Sequence, residues 1–167
     1  MLVCETSRLI IRQFTIDDAP FIFRLLNTEI WLTYIGDRNI RGLDDARNYL
    51  VNGPLASYGR FGFGLYLVAL KDEQTPVGMT GLIKRSGLEE VDIGFAFLPE
   101  YTGRGYAFEA ASAVKDYALT TLKLPRVAAI TTEKNLPAIT LLEKIGLHHE
   151  KMVQLPGNST EFMYFVN

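Results

Sequence analysis

Apolar positions in the first third of the chain alternate between strand and helix spacing. Residues 8–14 (RLIIRQF) predict an opening strand. Thr15 and Asp18 have the spacing of a capping box ahead of a helix over 19–26, where Phe21, Ile22, Leu25 and Leu26 share one face. A second helical run over 43–51 gathers Leu43, Ala46 and Leu50 and is expected to stop at Asn52-Gly53-Pro54. Between them, residues 31–41 are aromatic and irregular, which suits either a surface loop tucked onto the core or the wall of a pocket. Residues 64–70, 77–83 and 91–98 read as strands, and the polar segments 71–76 and 84–89 as hairpin turns that make this part of the sheet antiparallel.

The rest of the chain changes register again. A helix over 107–122 carries a stripe of Ala107, Ala110, Ala111, Val114, Ala118 and Leu122, small enough for close approach to a sheet. A strand over 126–132 follows, then a helix over 137–145 with Pro137 in its first turn and Gly146 at its end. Two terminal strands lie around 147–155 and 161–166. The predicted fold is mixed α+β: a central, mostly antiparallel twisted sheet of about seven strands, about four helices, and one βαβ crossover from the strand ending at Leu98 to the strand starting at Arg126. With no repeat, low-complexity tract or linker, residues 1–167 read as a single domain, for which a homodimer is compatible.

Composition narrows the function classes. Apolar residues at 48% and charged residues at 22% exclude disordered and fibrous classes, and a net charge of −2 offers no basic field for a nucleic-acid backbone. The single cysteine, Cys4, makes no internal disulfide, and the N-terminus lacks a secretory pattern, so a cytoplasmic location is the default. No apolar stretch approaches the ~20 residues that cross a bilayer. His148 and His149 are adjacent, and in a strand they point to opposite faces, so no metal is expected.

The chemistry concentrates in FAFLPEYTGRGYAFEA, residues 95–110. A strand runs into a short loop with Gly103 and Gly105, and an alanine-rich helix begins behind it. Glycines let the backbone approach a ligand, and a helix's first turn has unpaired N–H donors and partial positive charge, so the junction suits a phosphate or pyrophosphate. A dinucleotide fingerprint requires a third glycine where Phe108 stands, and no Gly-Lys-Ser/Thr string of a P-loop occurs. Just upstream, Glu90 and Asp92 stand on the strand face opposite Val91 and Ile93, with Gly94 leaving room beside them. They read either as solvated charges at a strand start or as general bases.

Four segments in order, TSRLIIRQFTIDDA, VDIGFAFLPEY, TGRGYAFEA and NLPAITLLEKIGL, resemble the GNAT superfamily of acetyl-CoA-dependent N-acetyltransferases, and within it the RimJ/RimL-type branch. The resemblance implies that backbone amides of Thr102, Gly103, Arg104, Gly105, Tyr106 and Ala107 hold the CoA pyrophosphate. It implies that Phe95, Ala96 and Phe97 lie on a splayed strand that pairs with the pantetheine arm, and that Asn135 lies near CoA, a role that coexists with capping the next helix. Thr102 departs from the family's Gln, Arg or Trp, while Leu142 and Ala138 stand where relatives carry a proton-donating tyrosine and a serine. The implied activity is acetyl transfer to a primary amine, a protein N-terminal α-amine or a small molecule, by direct attack in a ternary complex, and an acidic residue that relatives often carry near Asp92 makes Asp92 the first candidate for the base and Glu90 the second. The alternative is a non-catalytic acyl-CoA sensor. An acidic cluster of Glu89, Glu90 and Asp92 suggests attraction of a cationic acceptor.

Overall fold

The first apolar residues form a hairpin rather than one strand. In a computed structural model that describes residues 1–167, β1 (Leu2–Glu5) pairs antiparallel with β2 (Leu9–Gln13). β1 is a short edge strand on which only Val3 and Cys4 are partly covered, so its burial leaves no alternation in the sequence. It extends the sheet from the expected seven strands to eight. The others are β3 (Leu65–Leu70), β4 (Pro76–Ile83), β5 (Val91–Phe97), β6 (Val127–Thr131), β7 (His148–Gln154) and β8 (Glu161–Val166), in the order β1-β2-β3-β4-β5-β6-β8-β7. Every neighbouring pair is antiparallel except β5 and β6.

The helices also exceed the expected four. A single 3₁₀ turn (Ile16–Asp18) leads into α1 (Ala19–Leu25). The segment expected to be irregular contains α2 (Glu29–Tyr34), capped by Thr28, whose Oγ1 accepts from the Trp31 N–H at 3.2 Å. Trp31 is buried and its indole N–H donates to the Gly36 carbonyl at 3.0 Å, so tertiary burial and a polar anchor stabilise a helix too short to form alone. Then α3 (Leu43–Leu50) does not stop at Asn52-Gly53-Pro54. A π-helical turn (Val51–Leu55) absorbs Pro54, whose ring and missing N–H are incompatible with a regular α turn, and the chain continues as α4 (Ala56–Phe61). The last two helices are α5 (Tyr106–Thr120) and α6 (Leu136–Lys144).

These elements stack in three layers. On one face of the sheet, Ala110, Ala111, Val114 and Ala118 of α5 and Leu141 and Leu142 of α6 pack with Val91, Ile93 and Phe97 of β5. On the other, Phe21, Ile22 and Leu25 of α1, Trp31 of α2, and Ala46 and Leu50 of α3 cover Leu67, Ala69 and Met79. The alanine stripe lets α5 lie directly on the sheet. Because only the loop and 3₁₀ turn (Pro99–Tyr101) separate β5 from α5, the helix N-terminus is held at the C-terminal end of β5.

The first helical segment is pinned by the predicted capping pair. Asp18 Oδ2 accepts the Thr15 N–H at 2.8 Å, and Arg12 donates to both Asp18 oxygens at 2.9 and 2.8 Å. Burial pushes the Asp18 carboxyl up, but Arg12 and Thr15 outweigh it and hold the pKa below its ordinary value. A depressed carboxyl contributes stability that is present above the unfolded pKa and lost as pH falls through the folded one. Asp18→Asn is expected to cost about 1.5–3 kcal/mol at pH 7, the range for hydrogen bonds to charged groups. Urea denaturation should find its deficit against wild type closing as pH falls below ~4.

Candidate active site

β5 and β6 begin as parallel neighbours and then part. Their register pairs are Val91 with Val127 and Asp92 with Ala128, after which the two strands share no rung, although both continue to Phe97 and Thr131. From Ile93 onward β5 pairs only with β4, so its other edge is left open. The result is a V-shaped gap whose wide end faces the α5 N-terminus.

At that wide end the backbone is a row of free donors. Gly103 and Gly105 have φ of +73° and +82°, left-handed conformations that turn the chain sharply into α5 and favour glycine. The first α5 residue to find an acceptor is Glu109, whose N–H reaches the Gly105 carbonyl at 3.0 Å. The N–H groups from Gly103 through Phe108 have no acceptor in the protein. The Arg104 guanidinium lies over the Tyr101 ring, 5.8 Å from its centroid, and is exposed beside the loop.

The loop is braced from behind by residues that sequence reasoning did not single out. The Glu109 carboxylate accepts from Thr6, from the Arg8 N–H at 3.0 Å and from Arg8 Nε at 2.7 Å, while Arg8 Nη1 donates to the Arg104 carbonyl at 3.0 Å. Burial raises the Glu109 pKa, but these donors outweigh it, and the carboxyl is held below its ordinary value. The β1–β2 turn therefore clamps the first turn of α5. The only sequence signal was the presence of an arginine in the opening TSRL and a glutamate one turn into α5, and nothing local pairs residues so far apart.

The gap also borders a cavity of about 1130 Å³ reaching from α2 and α3 to α6. Asp92, Phe95 and Asn135 line it, as do Trp31 and Tyr34 from the segment first expected to be loop or pocket wall. Glu90, Ala96, Phe97 and residues 102–107 do not; the glycine loop lies beyond the mouth of the gap. Asn135 caps α6, its Oδ1 accepting the Ala138 N–H at 3.3 Å, which leaves the side-chain NH₂ without a protein partner. Ala138 and Leu142 form apolar wall and carry no proton to donate.

The two carboxylates have separate environments. Asp92 is 2% exposed, and both its oxygens accept from Arg85 Nε at 3.1 Å. Desolvation dominates and raises its pKa, with Arg85 acting in opposition. Glu90 accepts from the Tyr164 hydroxyl and lies 3.5 Å from Arg126. The expected acidic cluster does not form: Asp92 is paired, Glu90 faces Tyr164, and Glu89 is exposed outside the cavity. Arg85 was missed because only the β4–β5 hairpin, which pairs Ile83 with Asp92, brings the turn residue back over the carboxylate.

Comparison with known proteins agrees with this geometry. Residues 8–148 match the family model for the acetyltransferase (GNAT) domain. An uncharacterised N-acetyltransferase of Bacillus subtilis, YnaD, is 28% identical over 145 residues, covering 87% of this chain and 82% of that protein. A GNAT-family acetyltransferase from Bacillus anthracis superposes with a TM-score of 0.81 at 26% identity, over 100% of this chain and 98% of the other. RimL, a ribosomal L7/L12 α-N-protein acetyltransferase solved in complex with coenzyme A, shares the fold with a TM-score of 0.84 over 100% of this chain and 97% of its own, at 13% identity. The three-layer fold, the parted central strands and the family match lead to one conclusion: the chain belongs to the GNAT acetyltransferases and is an acetyltransferase enzyme.

Proposed function

We propose that this enzyme transfers an acetyl group from acetyl-CoA to a primary amine by direct attack in a ternary complex. The observation that carries the reading is the row of unpaired N–H groups from Gly103 through Phe108 at the open end of the β5–β6 gap. Backbone donors and the positive end of α5 converge there, and a diphosphate is the ligand that chemistry fits. Thr102, Gly103, Arg104, Gly105, Tyr106 and Ala107 would hold it, with the Arg104 side chain adding a charge-assisted contact. The free edge of β5 at Phe95, Ala96 and Phe97 then accepts an extended pantetheine arm as an added strand, and the Asn135 amide faces the same gap.

Acetyl-CoA supplies an activated thioester carbonyl. The chain's part is to orient it and to move one proton. A β5 N–H donating to the carbonyl oxygen as negative charge builds there is worth ~2.7–4 kcal/mol in other acyl-transfer sites. Asp92 is the proton acceptor: it borders the cavity, and burial shifts its pKa in the direction that makes a carboxylate a stronger base. Glu90 is engaged by Tyr164 and Arg126 away from the cavity, so the base role rests on Asp92. With Leu142 and Ala138 apolar, water protonates the leaving thiolate, whose ordinary pKa of ~8.5 makes it a tolerable leaving group unaided.

Three outcomes check this reading. Gly105→Trp adds a Cβ 3.2 Å from Arg8 Nη2 at a left-handed position and fills the donor row with an indole. CoA affinity by calorimetry should fall about a hundredfold, the loss of one or two charge-assisted hydrogen bonds, with the circular dichroism spectrum retained. In wild type kcat/KM should rise with pH through an apparent pKa above the ordinary aspartate value of ~3.9, because the base works only when ionised and burial delays its ionisation. Asp92→Asn should remove that limb and about 10²–10⁴-fold of the rate in a thiol-release assay, whereas full activity at neutral pH would exclude Asp92 as base.

A further inference from the structure

The cavity wall carries more positive than negative charge, and that decides what kind of amine it suits. Arg38, Arg60, Lys84 and Arg85 line it against Asp45 and Asp92. Both carboxylates are committed: Asp92 to Arg85, and Asp45 to the Arg41 N–H at 2.8 Å. Arg85 is bound to Asp92 through Nε alone, and neither of its Nη groups has an acceptor in the protein. A carboxylate buried in the sheet thus orients a guanidinium whose planar outer edge is free and borders the cavity. Arg38 and Arg60 have no ion-pair partner and border the same space, and the Tyr49 phenol on α3, whose pKa burial raises, feels both Arg38 and Arg85 as charges that oppose the shift.

Resting on the acetyl-transfer reading above, we propose that the acceptor is a primary amine that also bears a carboxylate, bound with its carboxylate on Arg85 and Arg38 and its nitrogen beside Asp92. A guanidinium fork matches a carboxylate in shape as well as charge, which a single ammonium does not. The same cations disfavour a second positive charge nearby, so they reject a polyamine. The Arg85–Asp92 pair is complementary to an amino acid: positive toward its carboxylate, negative toward its amine. The apolar part of the lining, Trp31, Ile35 and Phe61, suits an aliphatic or aromatic side chain.

The test is thiol release from acetyl-CoA with matched acceptors: free leucine and phenylalanine, their C-terminal amides, spermidine, and a peptide amide with N-terminal aspartate. Each free amino acid should exceed its amide by about tenfold or more in kcat/KM, the worth of one charge-assisted hydrogen bond, with spermidine lowest. Arg38→Gln, which leaves the Asp92 pair intact, should narrow that ratio, and Arg85→Lys should narrow it further. Retained CoA affinity in both variants shows that they are folded. If the aspartyl peptide is the best substrate, the carboxylate chemistry stands and its source is a protein N-terminus. Amides or spermidine acetylated as well as the free acids overturn the inference while acetyl transfer stands, as does CoA binding with turnover of none of these acceptors. Absence of CoA binding in wild type overturns the acetyl-transfer reading itself.

Discussion

Two rungs of parallel pairing between β5 and β6, followed by none, are the constraint on which the site depends. Had the strands stayed paired to their ends, the sheet would be continuous and the inner edge of β5 would have no free backbone groups. Because they part, one strand edge at the centre of the sheet is exposed without being an outer edge, and it is walled by α6 on one side of the sheet and by α2 and α3 on the other. An extended ligand arm is the natural occupant of such an edge, since it completes the hydrogen bonding as another strand would.

The gap is useful only because the α5 N-terminus is held at its mouth. The alanine stripe sets the helix down on the sheet, and the Glu109 carboxylate ties its first turn to Thr6 and Arg8 across the chain. Left-handed Gly103 and Gly105 turn the backbone so that its donors point outward instead of closing an earlier helical turn. Packing, a charged clamp and glycine conformations therefore act on the same few amides. Preorganisation of this kind lowers the cost of gripping an anion, because the donors are aimed before the ligand arrives.

Electrostatics then distinguish the α5 mouth from the cavity. The mouth is positive through backbone dipoles, and the cavity wall carries arginine side chains around one buried carboxylate. Asp92 is the anchor that aims Arg85, and its burial raises its pKa. A solvated aspartate at a strand start, the simpler reading of that position, would not have held the guanidinium in place.

The sequence by itself determined the elements whose signals are local. The apolar runs of β3, β4 and β5, the stripe of α5, the Thr15–Asp18 cap and the βαβ crossover each rest on signals local in the chain, and they occur where those signals predict. The glycine loop was legible for the same reason: glycine pairs before a helix advertise their backbone conformation directly. What only the tertiary structure decided is long-range or rests on burial. α2 exists because Trp31 has a core to enter, the helix passes Pro54 because a π turn accommodates it, and β1 forms because β2 offers an edge. The acidic cluster was misread for one physical reason: a row of acidic letters says nothing of which carboxylate is buried, which is turned away, and which arginine a hairpin folds back to meet it.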